Sequence, residues 1–182
     1  ELAQKDVEAA RDSLETLRSL DTRTDWVNYL EVRMLMVDGH WRRASRQLEE
    51  IMNTLIARNP QLATQVYLSL AQCYENLGDW DLAISAADSV PSDSPHKLAA
   101  VSVKAQSFLA KRQYDRAIES YRTIYESEVA AGKKFNSAIV MTFFVLLTSN
   151  QASLPEEEQD WTECQEVLQH ITADDSVAEP RK

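Results

Sequence analysis

The sequence contains few of the residues that form tight turns, with three Gly and five Pro among 182 residues. An all-β fold needs many such turns, so this composition gives it little support. With 44% hydrophobic residues, the chain is long enough to bury a core or to form a short array of stacked units. These numbers predict a folded and mainly helical chain.

Basic clusters and long apolar runs are also missing. The net charge is −10, and no cluster of Lys and Arg is longer than pairs such as Arg42-Arg43 and Lys133-Lys134. A phosphate backbone would be repelled, so we expect no nucleic-acid binding. The longest apolar run, 138–147, is shorter than the ~20 residues of a bilayer-spanning helix. It predicts a buried helix and no membrane insertion.

The residues that build catalytic and metal sites are sparse. Cys73 and Cys164 lie far apart at positions that suit a small apolar side chain, which predicts two reduced core thiols. His40, His96 and His170 are expected at the surface or at helix ends, without the ligand spacing of a metal motif. Glycine-rich phosphate loops and the GxSxG and HExxH motifs are absent. We therefore predict no enzyme activity, no cofactor and no metal.

A four-residue pattern recurs along the chain, with a small residue three places after an aromatic or apolar one. The members are 3, 4 and 3 residues apart and share one helical face. The small residues are 34, 39, 34 and 47 residues apart, which predicts an internal repeat. We expect Trp41, Trp80 and Trp161 to pack in its core. The five sets are Val7/Ala10/Leu14/Leu17, Trp41/Ala44/Leu48/Ile51, Trp80/Ala83/Ala87/Val90, Tyr114/Ala117/Tyr121/Ile124 and Trp161/Cys164/Leu168/Ile171.

A second helical pattern precedes most of these sets, and Gly39 or Gly78 can end it with a positive φ. Residues 67–95 resemble the tetratricopeptide repeat, a helix-turn-helix unit of about 34 residues. The matching residues are Leu70, Ala71, Tyr74, Gly78, Asp79, Trp80, Ala83 and Pro95, whereas Glu31, Lys104 and Arg112 depart from the pattern.

The resemblance implies an all-α, right-handed α-solenoid of stacked antiparallel helix pairs, with about nine helices. We expect a half repeat at 1–20, three repeats at 24–131, a degenerate fourth repeat or capping pair at 134–172, and a disordered tail at 173–182. The wider spacings predict a longer helix after Trp41 and a loop at 151–160. Because the chain begins with Glu and with a half repeat, we expect a segment of a longer protein.

The resemblance also implies a protein-interaction scaffold that binds a peptide or helix in its groove. First helices line the inside of such arrays, so their exposed residues face a partner. For Trp26 and Tyr29, packing against the preceding half repeat is an equal alternative. Only Arg33 could act in a carboxylate clamp, so that subtype is not supported. The predicted partner-binding residues are Trp26, Tyr29, Arg33, Met36, Gln65, Leu68, Gln72, Glu75, Ser102, Gln106 and Leu109.

Other functions stay open. One alternative is a helical-repeat sensor or regulatory domain that binds a small molecule or peptide signal, and another is a structural spacer. Self-association is expected if the half repeat exposes Val7, Leu14 and Leu17. The identity of the partner, the oligomeric state and the compartment stay open, with the cytoplasm favoured.

Overall fold

A computed structural model describes residues 2–19, 25–58, 60–132 and 137–176. These residues form nine α-helices and two short 3-10 helices, without any strand, so the predicted all-α class is confirmed. The 3-10 helices are Pro60–Leu62 and Glu156–Glu158. The α-helices are α1 Leu2–Ser19, α2 Asp25–Val37, α3 Trp41–Arg58, α4 Ala63–Leu77, α5 Trp80–Asp88, α6 Lys97–Ala110, α7 Tyr114–Ala130, α8 Ser137–Ala152 and α9 Thr162–Ser176.

Two of the expectations concern the ends of the chain. Helix α9 continues to Ser176, and the disordered tail expected at 173–182 stays a prediction. Residues 177–182 of the predicted tail lie outside the described residues. The same holds for the side chains of Val7 and Ala10.

Three pairs of helices are joined by the same turn. Gly39, Gly78 and Arg112 have φ angles of 74°, 78° and 58°, in the left-handed region. At each turn, this residue donates its N–H to the carbonyl three residues back, and the next residue donates to the carbonyl five residues back. This pairing satisfies carbonyls that the helix end would leave unbonded. The predicted positive φ at Gly39 and Gly78 is confirmed, and Arg112 adopts it without being glycine.

The small residue of the repeat pattern lies where the second helix of each pair begins. Ala44, Ala83 and Ala117 donate their N–H groups to carbonyls four residues earlier, within the turn. All three side chains are completely buried, and Cys164 is 4% exposed. A larger side chain at these positions would separate the two helices. The expected role of the small residues in close helix packing is confirmed.

Residues 1–103 form one compact unit. Its core is made by α2, α3, the 3-10 helix Pro60–Leu62, α4, α5 and the first part of α6, and includes Val32, Leu48, Leu55, Leu62 and Val66. Burial of each such side chain contributes about 1.5–3 kcal/mol. Helix α3 has 18 residues and α5 has 9, which agrees with the longer helix expected after Trp41. Its extra length brings Leu55 into the core.

Residues 104–182 form a second compact unit. Helix α8 packs on both α7 and α9, and Phe143 of α8 is fully buried with its ring centroid 5.5 Å from that of Tyr125. Two hydrogen bonds join Arg122 of α7 to Glu163 of α9, with Nε to Oε1 at 2.6 Å and Nη2 to Oε2 at 2.8 Å. The Tyr125 hydroxyl forms another hydrogen bond, to Nδ1 of His170.

The buried helix expected at 138–147 lies in α8, which is buried on one face only. Val140, Phe143 and Leu147 are buried, whereas Met141 and Val145 are 45% and 54% exposed. The buried residues are three and four apart and face α7 and α9. The other face of α8 is apolar in sequence but has no packing partner among the described residues of its own unit.

The last repeat pattern is displaced from its expected face. Trp161 precedes α9 and donates its indole N–H to Oε1 of Gln159 at 3.2 Å, whereas Trp41 and Trp80 are the first residues of their helices. Trp161 is 38% exposed, so its expected core position is wrong. Leu168 is also 45% exposed, because Cys164 and Val167 form the buried face.

The strain at Arg112 predicts a stabilising substitution. A left-handed backbone costs about 1–2 kcal/mol for a residue with a Cβ atom, and glycine avoids this cost but loses about 0.5–1 kcal/mol of chain entropy. We expect Arg112→Gly to raise the free energy of unfolding by about 0.5–1 kcal/mol. Urea unfolding followed by circular dichroism measures the change.

The reciprocal control is Gly78→Ala. The added Cβ would lie 3.8 Å from Cζ2 of Trp80, an ordinary contact, so the backbone conformation is the main source of its cost. We expect Gly78→Ala to lower the free energy of unfolding by about 1 kcal/mol. A destabilised Arg112→Gly variant would contradict the strain argument.

The two cysteines are predicted to be unreactive in the folded protein. Cys73 is completely buried, and its burial raises the pKa of the thiol to about 12. Burial also raises the pKa of the Cys164 thiol, and the nearby Glu163 carboxylate adds to the shift. Because the thiolate is the nucleophile, iodoacetamide at pH 8 should label neither residue until urea is added. Mass spectrometry of tryptic peptides checks this, and rapid native labelling of Cys73 would contradict it.

Candidate functional site

Four exposed side chains form a continuous row on α2, which we call the α2 stripe. The stripe consists of Trp26, Leu30, Arg33 and Val37, spaced 4, 3 and 4 residues apart on one helical face. Trp26, Leu30 and Val37 are 49%, 42% and 57% exposed, and Arg33 is also exposed. A row of three large apolar side chains around one cation is unusual on a water-facing helix.

The structure places two of the predicted binding residues in the core instead. Tyr29 and Met36 are 3% and 7% exposed, so the expectation that they face a partner is wrong. The Tyr29 hydroxyl donates to the Gln65 carbonyl at 3.4 Å and forms a hydrogen bond of 3.1 Å with Oγ of Ser69. These two partners lie on α4, which belongs to the following repeat, and not on the preceding half repeat. Tyr29 thus joins two first helices.

Helix α4 supplies a more polar surface. Gln65, Leu68 and Gln72 are half-buried, and Leu68 packs against the edge of the core. Asn76 is exposed and donates from Nδ2 to the Gln72 carbonyl at 2.8 Å. The amide groups of Gln65 and Gln72 can donate and accept hydrogen bonds, so they suit the main chain or polar side chains of a peptide.

Glu75 is the least well solvated of these residues. Its Oε1 atom is buried and has no hydrogen-bond partner among the described residues. Burial raises the pKa of its carboxyl group. The matching positions of the other repeats carry Met36 and Leu109, so a carboxylate here opposes the local environment. Such perturbed groups are concentrated at functional sites, although structural ones also occur.

Three predicted residues belong to α6. Ser102 is half-buried in the first unit, whereas Gln106 is exposed and Leu109 is half-buried in the second unit. Their expected binding role stays a prediction.

Sequence reasoning missed Leu30, Val37 and Asn76. The predicted set on α2 was spaced 3, 4 and 3 residues from Trp26, whereas the exposed set is spaced 4, 3 and 4. Both sets fit a helical face and share Trp26 and Arg33, and their mean directions differ by about 50° around the helix. Leu30 and Val37 were not predicted to be exposed because they are apolar, and apolar helix residues are usually assigned to the core.

The half repeat is better covered than expected. Leu14 is 8% exposed and Leu17 is half-buried, so the predicted apolar edge on α1 is wrong for these two residues. Leu14 lines a cleft of about 330 Å³ with Met34 and Leu35 of α2, and Arg11 pairs with Asp38 at its rim. Helix α2 therefore covers α1, and the exposed apolar surface lies on α2 itself.

Comparison with known proteins identifies the unit that contains Gln65 and Glu75. A sequence model of the tetratricopeptide repeat family matches residues 65–96. These residues are therefore similar to one tetratricopeptide repeat. The matched range begins in α4 and includes the Gly78 turn and α5. No curated protein sequence matches the chain at a significant level.

Solved structures show the same fold over nearly the whole chain. A protein described as a Podosopora anserina putative kinesin light chain with nearly identical TPR-like repeats is 17% identical, with a TM-score of 0.62, over 98% of this chain and 89% of that one. A double mutant of MamA RS-1 is 11% identical, with a TM-score of 0.69, over 98% and 90%. BtubC from P. vanneervenii is 17% identical, with a TM-score of 0.58, over 98% and 85%.

These likenesses establish the fold class as an all-α repeat fold of the tetratricopeptide kind. Such repeats generally mediate protein–protein interactions and are generally not enzymes. In the part of the chain that the structure describes, no helix is both long and apolar enough to cross a bilayer. The same part contains no group of three or more His, Cys, Asp and Glu side chains placed to hold a metal ion.

The buried carboxyl group of Glu75 is expected to make the folded protein less stable than an apolar residue at this position would. We expect Glu75→Met to raise the free energy of unfolding at pH 7 by about 1 kcal/mol, because a buried unbonded oxygen is removed. The raised pKa means that the folded state favours the protonated carboxyl group. At pH values below the pKa that Glu75 has in the unfolded chain, the protonated carboxyl group makes its full favourable contribution to the stability of the folded state. This contribution is lost as the pH rises through the higher pKa that Glu75 has in the folded protein.

Urea titrations at pH 7 and pH 4 therefore form the test. The advantage of Glu75→Met should shrink at pH 4, where the native residue is largely protonated. Glu75→Gln keeps the shape and removes the charge, so its stability should lie between those of the other two proteins at pH 7. Equal stability of all three at pH 7 would show that the carboxylate is well accommodated.

Proposed function

We propose that the chain is a non-enzymatic protein-interaction scaffold whose first unit binds a peptide or helix along α2 and α4. The observation that carries the proposal is the α2 stripe, in which the exposed Trp26, Leu30 and Val37 share one helical face with Arg33. The membership of residues 65–96 in a repeat family that generally binds proteins supports it.

The two helices offer complementary kinds of contact. Trp26 presents a large and rigid apolar surface, and Trp and Arg are enriched among the residues that dominate protein interfaces. Gln65, Gln72 and Asn76 of α4 add amide donors and acceptors. The hydrogen bond between Tyr29 and Ser69 holds the two helices together, so the two surfaces keep a fixed distance. A partner with one apolar and one polar side fits such a surface.

Arg33 determines the sign of charge that the partner should carry. The chain as a whole has a net charge of −10, so acidic partners are repelled at long range. At short range, Arg33 can pair with a carboxylate in two parallel hydrogen bonds. We therefore expect a mainly apolar ligand with one or a few carboxylates, rather than a strongly acidic one.

The test is a selection of peptides followed by variants of the full chain. A displayed library of linear peptides is selected on the immobilised protein, and the affinity of the enriched peptides is measured by fluorescence anisotropy. The double variant Trp26→Ala/Arg33→Ala should lose at least about tenfold in affinity, which corresponds to about 1.4 kcal/mol. Circular dichroism should show unchanged helicity, because both side chains are exposed.

The matched control is Leu82→Ala/Arg46→Ala, which removes an exposed apolar residue and an exposed cation from the second helices α5 and α3. This control should bind as the unmodified protein does. If Trp26→Ala/Arg33→Ala also binds normally, the proposed surface is wrong even if the protein is a scaffold.

A further inference from the structure

The first helices α2, α4 and α6 differ at one position, where two of them carry an aromatic ring. Leu35, Tyr74 and Phe108 each stand four residues before the left-handed residue of their turn. The carbonyl of each accepts the same main-chain hydrogen bond from the turn, at 2.8, 2.9 and 2.9 Å. The three residues are therefore structurally equivalent, and the first repeat lacks the ring that the other two have.

In the second repeat, the ring joins the first helix to the second helix of the preceding repeat. Tyr74 of α4 is half-buried, and its hydroxyl donates to Oε1 of Glu49 on α3 at 2.7 Å. Glu49 follows Leu48 in α3 as Glu15 follows Leu14 in α1. Glu15 thus occupies the place of the hydrogen-bond acceptor in the first repeat, where α2 supplies no hydroxyl to it.

In the third repeat, a cation covers the ring. The guanidinium carbon of Arg116 lies 4.6 Å from the centroid of the Phe108 ring. Arg116 comes eight residues after Phe108, and Arg43 comes eight residues after Leu35. Arg43 therefore occupies the place from which an arginine can contact a ring, and Leu35 offers it none.

The first repeat has a cleft where these groups come together. The cleft has a volume of about 330 Å³ and is lined by residues of α1, α2 and α3, among them Leu14, Glu15, Met34, Leu35 and Arg43. Small-molecule sites have volumes of about 300–1,000 Å³, so this one suits a compound with a single ring.

The cleft is open because residue 35 is leucine, and not because a neighbouring helix is missing. Two side chains, Tyr74 and Glu49, join α4 to α3 at the equivalent place of the second repeat. The corresponding helices of the first repeat, α2 and α1, both belong to the structure and both line the cleft. Met34, Leu35 and Asp38 also lie about 120° around α2 from the α2 stripe, so the two surfaces are separate.

The charges of the lining favour a cation. Three carboxylates and two guanidinium groups line the cleft, and the chain as a whole has a net charge of −10. This excess of negative charge attracts an ammonium group and repels a carboxylate. The charged lining residues are Arg11, Glu15, Glu31, Asp38 and Arg43.

We propose that this cleft binds a small cationic phenol, whose ring takes the place of the absent aromatic side chain. The ring packs on the apolar floor beside Leu35. Its hydroxyl donates to Glu15, as Tyr74 donates to Glu49, and Arg43 covers one face of the ring. This site is independent of the peptide surface along α2 and α4.

The probes are tyramine and two compounds that differ from it in one group. Phenethylamine lacks the hydroxyl, and 4-hydroxyphenylacetate has a carboxylate in place of the amine. Each is titrated into the 15N-labelled full chain and followed by heteronuclear NMR. Tyramine should bind saturably with a Kd of about 1 mM or tighter and should shift amide signals of α1, α2 and α3. Both other compounds should bind at least about threefold more weakly.

Leu35→Tyr supplies the ring from the chain itself. The new side chain should fill the cleft as Tyr74 does in its own repeat, so tyramine should no longer bind. Urea unfolding should show that Leu35→Tyr is at least as stable as the unmodified protein, which separates filling of the cleft from loss of structure.

Two variants test the polar contacts. Glu15→Ala should remove the advantage of tyramine over phenethylamine, because the hydroxyl then has no acceptor, and a general loss of structure would not remove this difference alone. Arg43→Ala should weaken binding of both amines about twofold to fivefold. The matched control is Arg42→Ala, which removes the adjacent exposed guanidinium that does not line the cleft and should leave binding unchanged.

Three results would each overturn the proposal. They are the absence of saturable tyramine binding, normal binding by Leu35→Tyr, and an unchanged preference for the hydroxyl in Glu15→Ala. None of them bears on peptide binding along α2 and α4, which the variant Trp26→Ala/Arg33→Ala tests separately.

Discussion

The close approach of the two helices in each pair is the constraint on which the rest of the structure depends. It requires a residue without a bulky side chain at the start of the second helix, as at Ala44 and Ala83, and a turn that reverses the chain within two or three residues. The left-handed residue at the turn and its two main-chain hydrogen bonds meet the second requirement. Once these are satisfied, each pair presents an apolar face that only a neighbouring pair can cover.

The polar link between Tyr29 and Ser69 converts this stacking into a binding surface. The side chain of Tyr29 fills the core, and its hydroxyl satisfies polar groups on the next first helix. With Tyr29 directed inward, the other side of α2 faces water, and there the chain carries Trp26 and Leu30. A helix that is apolar on both sides contributes one side to the core and leaves the other for recognition.

Much of the fold follows from local pattern, because helix pairs involve contacts that are near in sequence. The Ala positions, the glycine turns and the longer α3 all agree with expectations from spacing. The prediction was wrong where the same pattern fits two faces, as for Tyr29 and Trp161. The buried helix expected at 138–147 is exposed on one side, as at Met141. A rotation of about 50° around the helix separates the predicted from the exposed set on α2, and periodicity cannot resolve so small an angle.

The sequence by itself determined the all-α class, the repeat and the position of the turns, because these depend on side-chain size, backbone freedom and helical period. Only the tertiary structure decided which side of each helix is covered. Leu30 and Ser69 occupy the same place in their repeats, yet one is exposed and the other buried. Exposure depends on whether a neighbouring helix is present, and that is a property of the assembled array rather than of any segment of the chain.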